Sequence, residues 1–446
     1  MAEAVSGSDA RLDGPPAARD EAGSAPRRSF VRRAGLRFAL CYLALYNLQL
    51  ALSWLPGAGW LLARYQELWA SIVPWVGRHV LRLGGEIATV PNGSGDRTFD
   101  HVQVLCMALL AGVAALAWTV GQRRPPQDRL LAEGLRIFLR YALALTLLAA
   151  GMSTMMKLQF PFPGVDRLQE RLGDASPMGL LEVFLGYSTT YAVFSGAVEA
   201  LAGILLFFRR TTTLGALLAM AVLANTAMLA FSYGVPQKLY SLHLLAMAAL
   251  LLAPDARRLV DGLLLDRPTV PEADVAPPFA GRRTRIGRLI LKTALVGYVL
   301  LAVTKHALDR RQELALTPKA PLHGVYDVEE FSRNGQLVPA WSGDPARWRQ
   351  LIVGSPAALT VKLMSARRRL RTDYGKQEVT LLSDDGAGRL VRQGTLAWSR
   401  LDRDHLVLQG VLGADRLIVT LRRIDETGYL LVTRRFRVID DDPINR

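Results

Sequence analysis

The sequence contains only two cysteines among its 446 residues, and they form no CxxC pair. A dithiol–disulfide relay needs paired, accessible thiols, so we do not expect that chemistry. Cys41 and Cys106 both fall inside apolar stretches, where a free thiol is typical of a packing residue. The sequence also lacks a P-loop, a dinucleotide-binding GxGxxG and a GxSxG motif, so it gives no sign of nucleotide or serine-hydrolase chemistry.

Charged residues are scarce as well. They make up 21% of the chain, whereas 50% of the residues are hydrophobic. The net charge is nevertheless +15, because arginine clusters flank the apolar stretches instead of forming one basic face. This arrangement argues against a nucleic-acid partner and favours a lipid bilayer with anionic headgroups.

Seven apolar stretches are long enough to be candidate membrane spans. They are about Leu36–Leu55, Val102–Val120, Leu135–Met156, Tyr191–Phe208, Thr211–Phe231, Leu239–Ala253 and Ile286–Thr304. Arginine clusters precede the first span and follow the second, fourth and sixth. By the positive-inside rule, the amino terminus is cytoplasmic and the carboxyl terminus extracytoplasmic. The expected location is the cytoplasmic (inner) membrane.

The spans divide the chain into segments. The composition of residues 1–33 predicts a disordered tail. Residues 34–134 are predicted to form two spans with an outer amphipathic segment, and residues 135–255 a four-helix core. A cytoplasmic linker is predicted at 256–285 and the seventh span at 286–304. Within the second segment, residues 60–76 place apolar side chains on one helix face. We interpret them as a helix on the outer surface, with an eighth span as the alternative.

Residues 318–446 differ from the rest because short runs of alternating polar and apolar residues are separated by turn-like sequences. This pattern predicts a small antiparallel β-barrel or sandwich outside the cytoplasmic membrane. Trp341, Trp348 and Trp398 are expected to supply its core. The predicted fold is thus a membrane α-helical bundle of about seven helices followed by a β-rich domain.

Polar side chains inside the spans are the candidate functional residues, because a charge in hydrocarbon costs about 2.5–3.5 kcal/mol. Glu199 lies near the middle of the fourth span, and Tyr191 and Ser195 share its helix face. Asn225 and His243 lie in the outer halves of the fifth and sixth spans.

Two lysines mark the outer ends of the third and sixth spans. Lys157 closes the third span and Lys238 opens the sixth. The predicted geometry is a polar pocket in the outer half of the bundle, where Lys157 pairs with Glu199 and His243 faces Asn225. Three interpretations stay open: the polar groups lock helix packing, they bind a quinone or other small molecule, or they transfer protons.

The segment around Asp96, Asp100 and His101 is typical of a turn followed by a helix start. An outer metal site formed by these three residues is the alternative. His306, His323 and His405 have no ligand spacing with one another, so no metal site is predicted from them.

Several motifs resemble the DoxX-like family of bacterial integral membrane proteins. They are KLQFPFP at 157–163, SPMGLLEVFLGYS at 176–188, RRT at 209–211, LGALL at 214–218 and VPQKLYSLHLL at 235–245. GSGDRTFDHVQ upstream and the closing FRVIDDDPINR also look like segments of long family members.

The resemblance implies a four-helix membrane core over residues 135–255, with Lys157, Glu199, Asn225 and His243 inside it. It also implies a link to quinone-dependent redox systems, since some members resemble subunits of thiosulfate:quinone oxidoreductases and others are linked to oxidative-stress redox complexes. A membrane redox partner protein would then be expected. The paired cysteines of broader four-helix redox relatives are missing here.

The leading hypothesis is a bundle that binds a quinone or lipid-like molecule, as a subunit of a quinone-linked oxidoreductase. Glu199 and His243 would handle protons, Lys157 would bind the polar head, and Tyr191, Ser195, Asn225 and Lys238 would complete the site. A second hypothesis is a non-enzymatic anchor that presents a partner-binding β-domain. A third is a carboxylase-like enzyme, by analogy of architecture alone.

Overall fold

The computed structural model describes residues 24–55, 57–89, 94–122, 128–268, 282–316, 318–385 and 389–433. Its helices are α1 Ser24–Trp54, α2 Gly59–His79, α3 Thr98–Gly121, α4 Asp128–Met155, α5 Val165–Leu168, α6 Pro177–Tyr187, α7 Thr189–Phe207, α8 Thr212–Tyr233, α9 Lys238–Leu252, α10 Ala256–Leu263, α11 Arg282–Leu316 and α12 Leu430–Thr433. The strands are β1 Gly324–Arg333, β2 Gln336–Leu337, β3 Trp348–Ser355, β4 Ala358–Leu363, β5 Arg367–Tyr374, β6 Glu378–Asp384, β7 Leu390–Arg400, β8 His405–Leu412 and β9 Asp415–Arg423.

Six helical stretches in the described part of the chain are long and apolar enough to cross a membrane. They are Phe30–Ser53, Thr98–Gly121, Leu130–Met155, Thr189–Phe207, Arg209–Tyr233 and Lys238–Leu263. The first six predicted spans fall on these stretches. The chain therefore has the helices of a membrane protein.

The predicted seventh span, residues 286–304, lies within α11. The helix is 35 residues long, but it is not among the six candidate spans found in the described residues. A seventh crossing therefore stays a prediction.

The predicted tail and carboxyl-terminal segment lie partly outside the described residues. Residues 1–23 and 434–446 are outside them, including FRVIDDDPINR. Residues 24–33, predicted as part of the tail, are helical because α1 begins at Ser24.

The chain divides into two compact units. The first consists of Met1–Ala142 and Pro236–His243, and the second of Leu143–Val235 and Leu244–Arg446. In the first unit, Trp69 and Val73 of α2 pack in one buried cluster with Val102 and Met107 of α3.

Helix α2 contains the amphipathic segment 60–76. It is not among the six candidate spans of the described residues. Trp60 and Trp75 are exposed, with 70% and 59% of their surface accessible. Leu61 and Leu68 are exposed too, so the buried face of the helix is narrower than the apolar stripe in the sequence. Exposed tryptophans beside a buried apolar face are typical of a helix at a membrane interface.

In the second unit, small residues bring α4 and α7 into backbone contact. A Cβ atom added to Gly196 would lie 2.5 Å from the Gly151 carbonyl oxygen. One added to Gly203 would lie 2.8 Å from the Ala144 carbonyl oxygen. Helices in lipid associate through such close approach, because lipid is as apolar as the side chains it replaces.

The carboxyl-terminal domain is a closed antiparallel barrel of eight strands. The strands pair in the order β1-β3-β4-β5-β6-β7-β8-β9, and β9 pairs back with β1 to close the barrel. The short β2 pairs only with β1. Alternate residues point inward, so Leu351, Leu381, Leu396 and Leu421 fill the interior.

The barrel confirms the predicted antiparallel β-domain and decides for a barrel over a sandwich. Trp348 is buried in its core, and Trp398 packs against that core. The assignment of Trp341 to the core is wrong, because 88% of its surface is exposed. It sits in a short turn of 3-10 helix, Ala340–Ser342, outside the alternating strands.

The outer wall of the barrel is covered by the connection between α4 and α6. Val165 of this connection packs against Val325 and Ile352 of the barrel. The Lys362 ammonium donates to the Gln169 carbonyl oxygen at 2.6 Å. Arg367 pairs with Glu170 at 3.2 Å. These contacts place the barrel and the α4–α6 connection side by side.

The close approach of α4 and α7 gives a testable consequence. Gly196→Ala should destabilise the protein by about 1–3 kcal/mol, because the new methyl group overpacks the Gly151 backbone. Gly112→Ala is the matched control, since a Cβ there would meet nothing within 4 Å. Thermal unfolding in detergent micelles should show a lower midpoint for Gly196→Ala only. Equal midpoints for the two variants would contradict the helix packing described above.

Candidate functional site

A cavity of about 470 Å³ lies in the first unit between α1, α3 and the start of α9. Apolar and uncharged polar side chains form most of its wall. The lining residues are Tyr46, Asn47, Gln49, Leu50, Ser53, Leu62, Gly95, Arg97, Asp100, Gln103, Val104, Met107, Gln237, Leu239 and Tyr240. A concave site with an apolar wall and a few polar groups is the usual form of a small-molecule site.

Asp96 holds the amino terminus of α9 at the edge of this cavity. Its carboxylate accepts the backbone N–H groups of Lys238 and Leu239, both at 2.9 Å. The Gln237 N–H donates to the Ser94 carbonyl oxygen at 2.7 Å. A carboxylate at a helix amino terminus satisfies donors that the helix leaves free and complements its dipole. The turn around Asp96 therefore positions a helix that is distant in the sequence.

The same turn starts α3. The Asp100 carboxylate accepts the Arg97 N–H at 2.8 Å, and His101 Nδ1 contacts the Arg97 carbonyl oxygen at 3.0 Å. Within the described residues, no group of three or more His, Cys, Asp or Glu side chains is arranged to hold a metal ion. The helix-start interpretation of this segment accounts for these contacts.

His243 lies one layer behind the cavity wall. The ring of Tyr46, which lines the cavity, stacks on the His243 ring with centroids 3.9 Å apart and planes 7° apart. His243 Nδ1 lies 2.6 Å from the Leu239 carbonyl oxygen, and Nε2 lies 2.5 Å from the Tyr42 hydroxyl. Because a carbonyl can only accept, we place the proton on Nδ1, so that Nε2 accepts from Tyr42.

Three glutamines supply the unsatisfied polar groups of the cavity. Gln49, Gln103 and Gln237 all line it. None of their side-chain amides makes a hydrogen bond within the described part of the chain. Each amide offers two donors and an acceptor to a bound molecule. Arg97 and Asp100 contribute opposite charges, so the charged side chains in the wall balance.

The other predicted site residues belong to the second unit. The Lys157 ammonium donates to the Gly186 carbonyl oxygen at 2.5 Å and to the Thr189 hydroxyl at 3.3 Å. Burial lowers the pKa of Lys157. No ion pair joins Lys157 to Glu199 among the residues that the structure describes.

The remaining predicted site residues of this unit lie on α7 and α8. Glu199 and Ser195 are half-buried, whereas Tyr191 and Asn225 are exposed. The Tyr191 N–H donates to the Ser188 side chain, which caps α7. Their assignment to a ligand site stays a prediction.

Apart from Asp100, which was named as a candidate metal ligand, the cavity residues on α1 and α3 were not selected from the sequence. Tyr42 and Tyr46 stand four residues apart and so share a helix face, and Asn47, Gln49 and Gln103 are amides within or beside apolar spans. This excess of hydrogen-bonding side chains near the end of the first span and the start of the second is the signal that could have pointed to the cavity.

Comparison with known proteins identifies no family. No family model matches the chain. No solved structure matches it either. A stretch of 75 residues is 35% identical to the uncharacterized protein YwoB of Bacillus subtilis (strain 168). The match covers 17% of this chain and 49% of that protein, so the chain spans about half the length of the relative it matches.

The capping contact of Asp96 can be tested by substitution. Asp96→Ala should lower the free energy of unfolding by about 0.5–2 kcal/mol, because two N–H groups of α9 lose their acceptor. Asp96→Asn should lower the free energy of unfolding by less, since its amide oxygen still accepts a hydrogen bond from α9. Thermal unfolding of the three proteins gives the comparison. An unchanged midpoint for Asp96→Ala would show that the contact does not hold α9.

Proposed function

We propose that this chain is a membrane protein that binds an amphiphilic molecule with a neutral, hydrogen-bonding head, of the quinone class, in the cavity between α1, α3 and α9. The observation that carries the proposal is the set of unpaired glutamine amides in a largely apolar wall. Quinone carbonyls accept hydrogen bonds from amides, and an isoprenoid tail fits an apolar wall. The balance of Arg97 and Asp100 favours an uncharged head, because an unpaired charge is costly to bury.

His243, stacked on Tyr46, gives the proposed site a titratable group one layer behind the cavity wall. In the inferred tautomer, His243 Nε2 accepts from the Tyr42 hydroxyl. Tyr46 stands between this pair and the cavity. We assign His243 the proton-handling role expected from the sequence. Glu199, in the second unit, is the other proposed proton carrier, and the resemblance to DoxX-like proteins supports a place in a membrane redox system.

The proposed topology has seven crossings, with the amino terminus in the cytoplasm and the barrel outside a bacterial inner membrane. Helices α7, α8 and α9 give three crossings after the α4–α6 connection. The barrel contacts that same connection through Val165 and Glu170. A chain that crosses three times and then returns to the starting side must cross once more, and α11 supplies the crossing. At about 1.5 Å per residue, its 35 residues are long enough.

A second candidate function is a membrane anchor that presents the barrel to a partner. The observation that favours it is the docking of the barrel on the α4–α6 connection, which would hold the barrel beside the ends of the helices. The anchor model needs no ligand in the cavity. The two functions therefore predict different ligand contents for the purified protein: a bound quinone in the first and none in the second.

The topology can be tested with single cysteines in a protein whose Cys41 and Cys106 are replaced by alanine. Trp341→Cys on the barrel should react with a membrane-impermeant maleimide in intact cells. Leu264→Cys, after α10, should react only after the membrane is opened. Both positions are exposed, at 88% and 77% of their surface. Labelling of both or of neither in intact cells would contradict seven crossings.

The ligand can be identified by purifying the protein in lipid nanodiscs, extracting the bound small molecules with solvent and analysing them by mass spectrometry. Wild type should retain an isoprenoid quinone, and Gln103→Leu should retain about five- to tenfold less, the ratio for loss of one hydrogen bond of about 1–1.5 kcal/mol. Gln409→Leu, which removes an exposed amide from the barrel, is the matched control. His243→Ala and Glu199→Gln test the proton carriers.

Phospholipid alone in the wild-type extract would favour the anchor model. Equal quinone in wild type and Gln103→Leu would show that the ligand binds elsewhere. If His243→Ala and Glu199→Gln leave both quinone content and every phenotype unchanged, the assignment of these two residues is wrong.

A further inference from the structure

Lys157 occupies a backbone position that usually belongs to glycine. Two nested backbone hydrogen bonds end helix α4. The Leu158 N–H donates to the Ser153 carbonyl and the Lys157 N–H donates to the Thr154 carbonyl, both at 3.0 Å. This pattern is a Schellman motif, whose left-handed residue is normally glycine. Lys157 adopts it with φ of +57°. A side chain kept at a strained position suggests that the side chain itself has a function.

The ammonium of Lys157 has no anionic partner among the described residues. Its hydrogen bonds go to a carbonyl and a hydroxyl, on Gly186 and Thr189. The third N–H of the ammonium is left for another acceptor.

Two carboxylates in the chain that follows α4 are paired with arginines. Glu170 pairs with Arg167 and Arg367, and Glu182 pairs with Arg167. Neither of these two carboxylates is paired with the Lys157 ammonium in the described part of the chain. Burial lowers the pKa of Lys157, and an anionic neighbour would stabilise the charged form.

The position of Lys157 matches the headgroup region of a bilayer. The apolar stretch of α4 ends at Met155, and that of α7 begins at Thr189. The exposed rings of Phe162, Phe184 and Tyr191 surround this end of the helices. The Lys157 ammonium lies 5.9 Å from the Phe162 ring centroid. Aromatic side chains at this level are typical of the membrane interface.

We propose that Lys157 and the Thr189 hydroxyl bind the phosphate of an anionic lipid, in the leaflet that faces the barrel. The amino terminus of α7 at Thr189 adds the positive end of a helix dipole. This site belongs to the second unit and takes a charged head, so it is independent of the proposed quinone site in the first unit.

Native mass spectrometry of the full chain tests the site, with phosphatidylglycerol and phosphatidylcholine of identical acyl chains as competing lipids. Lys157→Gly removes the charge while giving the left-handed position its preferred residue, so folding should be preserved. Lys305→Gln is the matched control, because it removes one exposed lysine charge from α11. A thermal unfolding midpoint in phosphatidylcholine checks that each variant folds.

Wild type and Lys305→Gln should bind phosphatidylglycerol about fivefold more tightly than phosphatidylcholine, the ratio for about 1 kcal/mol per basic side chain near an anionic surface. Lys157→Gly should bind the two lipids equally. A preference that survives in Lys157→Gly, or that is absent from wild type, would overturn the proposal. Displacement of phosphatidylglycerol by inorganic phosphate would show a site for free phosphate and would overturn the lipid assignment.

Discussion

The contact between the α4–α6 connection and the barrel wall is the constraint on which the arrangement of the second unit depends. Val165 packs on Val325 and Ile352, and Glu170 and Gln169 pair with Arg367 and Lys362. A water-exposed barrel and a helix connection can touch only on one side of a membrane. In the proposed topology, the contact therefore ties the direction of α7, α8 and α9 to the side on which the barrel lies.

The two proposed sites differ in the polar groups that they offer to a ligand. In the first unit, amides and phenols meet around a cavity whose charged side chains balance, which suits a neutral head. In the second unit, a lysine without a carboxylate partner lies where helices leave the apolar stretch, which suits an anion. The same rule governs both, since a group taken out of water must find a hydrogen-bond or charge partner.

Hydropathy predicted seven spans, of which six fall on candidate spans of the structure, and alternation predicted the antiparallel β-domain, because both signals follow from local sequence. The core assignment of Trp341 was wrong because it lies in a turn, where alternation does not decide burial. His243 was recognised as polar within a span. Its partner Tyr42 is 201 residues away, so their contact depends on tertiary packing. Likewise, the hydrogen bonds of Lys157 depend on how α4 meets α7.

The most direct test of the account is a cryo-electron microscopy map of the protein in lipid nanodiscs, extracted from its native membrane. We expect an elongated non-protein density in the cavity between α1, α3 and α9, with a ring-shaped head within hydrogen-bond distance of Gln103. The barrel should lie against the α4–α6 connection, outside the bilayer. A cavity holding only water, or a phospholipid whose phosphate contacts Gln103, would contradict the proposed ligand class.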